Sequence, residues 1–141
     1  MLILISDAFD PSLPARLAAF GEVTDDVGRV ADADVVLIRS KTRCTRAYIE
    51  AAPNLKLIIR GGVGLDNVDQ VYAAERGVTV HNTADASSIA VAELAFALMI
   101  ALPNHVVAGH NGMAQGQWLK KELKRTELYG KTLGLIGAGR I

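Results

Sequence analysis

The sequence has little that would tie it to an oxidising compartment, a membrane or a polyanion. One of its 141 residues is cysteine. Cys44 therefore has no internal disulfide partner, which fits a reducing compartment. Fifteen Lys and Arg balance fifteen Asp and Glu to a formal net charge of zero, so bulk charge offers nothing to nucleic acid or to an anionic membrane. The opening Met1–Ser6 is apolar, but no basic stretch precedes it and Asp7 interrupts it at once, so it reads as a strand rather than a secretory leader. The longest apolar stretch, Ile89 to Pro103, contains Glu93 and falls short of the roughly 20 apolar residues of a membrane span. Internal repeats, low-complexity tracts and a metal-ligand set are also missing. What remains is the expectation of a cytoplasmic enzyme with no nucleic-acid or membrane partner and no metal.

Half of the residues are hydrophobic and 21% are charged, the composition of a chain that can bury a core. Short apolar runs alternate with helical patterns. Strands are expected at Leu2–Ser6, Glu22–Thr24, Val35–Arg39, Leu55–Arg60 and Val78–His81. Helices are expected at Pro11–Phe20 with Asp10 as cap, at Thr45–Ala52 with Thr45 as cap, and at Val68–Arg76, ended by Gly77. Continuous rather than alternating Val, Ile and Leu indicate strands covered on both faces, and strand–helix alternation indicates a parallel sheet in an α/β sandwich. From Ser87 or Ser88 the pattern predicts a long helix, interrupted by Pro103 and resuming around His110–Met113. A polar arm follows, Gln115–Tyr129, with Trp118 as its one large apolar anchor. Thr132–Ile136 then reads as a further strand running into glycines.

Three segments carry candidate chemistry. The first is Thr132–Ile136 followed by Gly137, Ala138, Gly139, Arg140 and Ile141. In a dinucleotide site one glycine allows the turn out of the strand, a second lets the backbone approach the pyrophosphate, and a third lets the next helix pack closely. Two of the three are present here, so an ordinary glycine turn is an equal reading. The second segment runs from Arg60 through Gly61, Gly62, Val63, Gly64 and Leu65 to Asp66 and Asn67, directly after a strand. Consecutive N–H groups beside an arginine can receive a carboxylate or phosphate. The alternative is a glycine-rich turn in which Asp66 and Asn67 cap the next helix. The third is Arg39-Ser40-Lys41-Thr42-Arg43-Cys44-Thr45, which suits an anionic substrate or is a solvated loop. Arg43 and Arg46 flank Cys44, and such neighbours lower a thiol pKa, yet a structural role is expected for it. His81, His105 and His110 lack a carboxylate partner at a convincing spacing and are expected to be structural or superficial.

Taken in order, RSKTRCT, LKLIIRGGVGLDNVD, AAERGVTVHNT, VAELAFALMIAL, GQW and ELYGKTLGLIGAGRI resemble the D-isomer-specific 2-hydroxyacid dehydrogenases over essentially the whole chain. Arg39-Ser40 with Thr42 and Thr45 look most like the phosphoglycerate-oxidising branch. The resemblance implies a flavodoxin-like three-layer sandwich with a parallel sheet (residues 1–85), then an interdomain helix and dimerisation arm (86–131), then the first strand of an NAD-binding Rossmann domain (132–141). It implies that Arg39, Ser40, Arg60, Gly62, Val63 and Gly64 bind substrate. It also implies that Val63, Gly137, Gly139, Arg140 and Ile141 contact NAD, and that a homodimer forms through the 87–113 helix and the Trp118 arm. The family's catalytic Arg, Glu and His are expected beyond Ile141. The chain is therefore expected to be the inactive front portion of an enzyme oxidising D-3-phosphoglycerate to 3-phosphohydroxypyruvate in serine biosynthesis. Two alternatives stay open: a glyoxylate or hydroxypyruvate reductase on the same scaffold, and a non-catalytic isolated lobe.

Overall fold

Five short runs of β-branched and aliphatic residues find one another as a single parallel sheet. They are β1 (Leu2–Ile5), β2 (Glu22–Thr24), β3 (Val35–Ile38), β4 (Leu57–Arg60) and β5 (Thr79–Asn82), in spatial order β2-β1-β3-β4-β5. This is the flavodoxin-like order, which reverses direction between β1 and β3. The computed structural model describes residues 1–140, and the chain divides into two units, Met1–Ala86 and the remainder from Ser87.

The pleat sends alternate side chains to opposite faces of the sheet. Leu4, Val36, Ile38 and Ile58 point to one face and pack with Ile49, Ala52, Ala73 and Val78 in a cluster that excludes water. Helices α2 (Arg46–Glu50) and α3 (Gln70–Glu75) supply that cover. Ile3, Val35 and Leu37 point the other way, against Phe9 and the Leu13 and Leu17 of helix α1 (Leu13–Leu17). Cover on this side is thinner, so Leu57 and Ile59 are only half-buried and β5 is largely exposed. The expectation of strands buried on both faces holds for β1 and β3 and not for β5.

Local chemistry moved several boundaries. Helix α1 starts at Leu13 rather than Pro11, because the Asp10 carboxylate accepts from both the N–H and the hydroxyl of Ser12, at 2.9 and 2.6 Å, and so closes a turn before the helix begins. Thr45 caps α2 as expected, accepting from Tyr48 N. Helix α3 is capped by Asp69, which accepts from Tyr72 N at 3.0 Å. The expected capping by Asp66 and Asn67 is therefore corrected, and Asn67 is used elsewhere. A 3₁₀ segment at Val27–Asp32, opened by the Asp26 side chain, lies outside the expected elements.

In the second unit, α4 (Ser88–Ala101) and α5 (Val106–Ala114) are separated at Pro103–His105, where His105 adopts φ +52°. The arm beyond turns back on α5. Leu119 sits against Gly112 so closely that a Cβ there would lie 2.6 Å from its Cδ1. Lys124 O lies 3.0 Å from His105 Nε2, and Thr126 N donates to Pro103 O at 3.1 Å. Helix α4 spreads its apolar residues over every side, with Glu93 as its one charge, and has no buried residue; Trp118 is exposed. With the 3₁₀ turn Ala84–Ser87 the helical run reaches 18 residues, Ala84–Ala101, at mean hydropathy 1.6. Length and composition thus allow a membrane crossing, which the count from Ile89 had not anticipated. Glu93 inside the run is what such a crossing disfavours.

Thr132–Ile136 is not a strand in this structure. It runs as an irregular, exposed segment. An apolar stretch holds β geometry only when a neighbouring strand takes up its N–H and C=O groups, and no described residue does so here.

Candidate functional site

Register brings the site together. Ile38, Arg60 and Asn82 are successive partners across β3, β4 and β5, so the segments beginning at Arg39, Gly61 and Thr83 leave the sheet at one level. The carboxyl edge of a parallel sheet is where such folds bind ligands.

At the reversal between β1 and β3 the crevice is filled from within. Asp7, buried at the end of β1, accepts from Arg39 N at 2.6 Å, Thr42 Oγ1 at 2.7 Å and Thr42 N at 3.2 Å. Burial pushes its pKa up. The hydrogen bonds from the Thr42 side chain and the backbone of Arg39, Thr42 and Lys41 outweigh burial and leave it below the ordinary carboxylate value. Asn67 grips the same loop from the other side, its Nδ2 donating to Arg39 O at 2.8 Å and Thr42 O at 2.7 Å. Two side chains distant in sequence thus clamp residues 39–42. Arg39 and Ser40 stand exposed at the top, and Arg39 Nη1 also reaches Ala8 O at 3.2 Å.

The 61–64 loop is held from β5. Gly62 N donates to Thr83 Oγ1 at 2.9 Å, Thr83 N donates to Gly62 O at 3.1 Å and Arg60 O at 3.2 Å, and Asn82 Nδ2 donates to Val63 O at 2.6 Å. Gly62 needs to be glycine twice over. Its φ is +146°, and a Cβ would overlap the Arg60 guanidinium, which lies against it. Gly61 carries a similar demand, since a Cβ would stand 2.7 Å from the Phe9 ring. Among the described residues the N–H groups of Val63 and Gly64 have no partner, whereas that of Gly62 is taken. Arg60 reaches Ser40 Oγ at 3.4 Å, and its Nε is buried without a partner. Arg39, Ser40, Arg60, Gly62, Val63 and Gly64 thus lie together on one edge, with two unengaged backbone donors and two guanidiniums.

The cofactor stub differs. Gly137 takes φ +86°, the conformation of a tight turn, but a Cβ on Gly137 or Gly139 would meet nothing within 4 Å. With neither strand nor helix around them, Gly137, Gly139 and Arg140 do not form a pyrophosphate cradle as folded here. Ile141 lies outside the described residues. Cys44 is corrected in sign: burial, then the Asp7 carboxylate, push its thiol pKa up to about 12, because Cys44 faces the core and its basic neighbours face out. His81 and His110 are exposed, and His105 is tied to the Lys124 carbonyl.

Asp7, Asn67, Asn82 and Thr83 were missed by sequence reasoning as contributors to this edge. For Asp7 a signal existed, since a charge ending a buried strand must find donors. For the other three, no local pattern shows which loop they grip.

Residues 13–129 match the family model described as D-isomer specific 2-hydroxyacid dehydrogenase, catalytic domain. The chain is 44% identical to D-3-phosphoglycerate dehydrogenase of Methanocaldococcus jannaschii over 99% of its own length and 28% of that protein's. It is 49% identical to hydroxypyruvate reductase of Thermotoga maritima over 79% of its length and 37% of that protein's. It therefore spans between 28% and 37% of the length of these relatives. Among solved structures, it matches an NADPH-dependent glyoxylate/hydroxypyruvate reductase of Sinorhizobium meliloti, in complex with NADP and malonate, at TM-score 0.80 and 27% identity, covering 99% of this chain and 46% of that one. The NAD-dependent formate dehydrogenase of Staphylococcus aureus, in complex with NAD, matches at TM-score 0.71 and 25% identity, over 89% and 46%. With its sheet order, its glycine loop and this matched span, the chain belongs to the D-isomer specific 2-hydroxyacid dehydrogenase family.

Proposed function

We propose that the protein carrying this chain interconverts a small D-2-hydroxy acid and its 2-oxo acid with NAD, D-3-phosphoglycerate and 3-phosphohydroxypyruvate being the pair, and that the unit Met1–Ala86 supplies the anion receptor. The observation that carries this reading is the unengaged N–H pair of Val63 and Gly64 beside Arg39 and Arg60. Two backbone donors suit the two oxygens of a carboxylate. The guanidiniums, one with an unpartnered buried Nε, suit a phosphate at the far end of the same molecule. Residues 1–140 as folded build no dinucleotide cradle, so no chemical step is assigned through the cofactor. The 141 residues by themselves are expected to give no NADH from phosphoglycerate, and measurable NADH would overturn that expectation. The apolar α4 and exposed Trp118 fit burial against a second copy.

A second reading, reduction of hydroxypyruvate or glyoxylate, is favoured by the 49% identity to the Thermotoga maritima enzyme. It has less need of Arg39. Turnover of 3-phosphoglycerate with NAD by the full-length protein, against D-glycerate, separates the two. A preference for the phosphorylated acid that collapses in Arg39→Ala is expected. Equal turnover of both acids would favour the second reading, and turnover of neither would sink the dehydrogenase assignment.

A further inference from the structure

We propose that Asn82 and Thr83 are the positioning residues of this anion receptor, an inference that rests on the reading just given. All the peptide bonds around the loop are trans, and in a trans peptide the carbonyl of one residue and the N–H of the next point in opposite directions. The carbonyl of Gly62 is drawn to Thr83 N at 3.1 Å, so the N–H of Val63 is turned away from the end of β5. The carbonyl of Val63 is drawn to Asn82 Nδ2 at 2.6 Å, so the N–H of Gly64 is turned away from it too. Thr83 Oγ1 takes the remaining N–H of the loop, that of Gly62, at 2.9 Å. Two adjacent residues at the end of one strand thus satisfy both carbonyls and the one inward N–H, leaving the other two N–H groups for a ligand.

The arrangement also keeps a carbonyl out of the receptor. If the Val63–Gly64 peptide flipped, an oxygen would face the carboxylate in place of a donor, turning attraction into repulsion. Glycine on both sides of Val63 makes such a flip easy, so a specific anchor is needed. Asn82 supplies a donor at the required side, which aspartate of the same shape cannot do.

Titration of the ¹⁵N-labelled 141-residue chain with D-glycerate, an acid without phosphate, tests this. In the unaltered chain the Val63 and Gly64 amides are expected to shift saturably. In Asn82→Asp, Asn82→Ala and Thr83→Val the apparent Kd is expected to weaken about tenfold, the equivalent of one charge-assisted hydrogen bond. Thr83→Ser, which keeps the hydroxyl, is expected to bind as the unaltered chain does. Unchanged amide shifts of Ile49 and Ile58 in each variant show that the core is intact. If the unaltered chain binds and the three variants bind equally well, the positioning role is wrong while the receptor stands. If Val63 and Gly64 do not respond in the unaltered chain, the receptor itself is wrong and this inference falls with it.

Discussion

Asp7 Oδ2 accepts a 2.6 Å hydrogen bond from the backbone N–H of Arg39, joining the ends of β1 and β3 across 32 residues of sequence. A buried carboxylate thus does what a ligand does in other sheets of this order. It occupies the reversal point and leaves the neighbouring edge, between β3 and β4, open.

Replacing Asp7 tests that bond. Asp7→Asn keeps the shape but loses the charge, and its amide presents a donor to Arg39 N or Thr42 N. A loss of about 2 kcal/mol at pH 7 is expected from hydrogen bonds to a charged group. Because the folded pKa lies below the ordinary 3.8, the stabilisation is complete above that value and is lost as pH falls through the lowered one. Urea melts between pH 2.5 and 7 should show the gap between the two proteins closing only below about pH 4. A gap independent of pH would contradict this account.

Gly62→Ala and Gly77→Ala separate crowding from backbone strain. Both positions have positive φ, +146° and +70°, but only Gly62 has a side chain in the way. Gly77→Ala should cost about 1 kcal/mol. Gly62→Ala should cost more, up to about 3 kcal/mol, and should displace Arg60. Thermal melts of the two variants side by side decide the matter, and equal losses would argue against the guanidinium contact.

Ile58 is fully buried in the face covered by α2 and α3. Ile58→Ala should lose about 2–5 kcal/mol by transfer and cavity formation. Val71, exposed on α3, should tolerate alanine within about 0.5 kcal/mol. Denaturant midpoints report both, and a small effect at Ile58 would mean that the cluster collapses around the gap.

Cys44 should be inert while the fold stands. With its pKa pushed to about 12 and no exposed surface, thiolate is scarce and unreachable. Ellman's reagent at pH 8 should leave the native chain untouched for many minutes and titrate the single thiol at once in 6 M guanidinium. Fast reaction under native conditions would show that the segment around Cys44 opens.

Much of this protein was settled by sequence alone. The runs Leu2–Ser6, Val35–Arg39 and Leu55–Arg60 hold too many β-branched and aliphatic residues in too few positions to be anything but strands, and they contain β1, β3 and β4. Thr45 caps its helix because its hydroxyl reaches Tyr48 N wherever the rest of the chain lies. Arg39, Arg60 and the glycines of the 61–64 loop stood out because donors after strand ends suit an anion, with a solvated loop and a glycine turn as the competing readings. Tertiary structure decided which groups are spent and which are free. Asp7, Asn67, Asn82 and Thr83 look like ordinary loop polars until register aligns Ile38, Arg60 and Asn82 on one edge, and only then does each meet a partner 19 to 35 residues away. Cys44 changed sign for the same reason, since sequence neighbours are not spatial ones. Thr132–Ile136 has the composition of a strand, but a strand exists only in a pair.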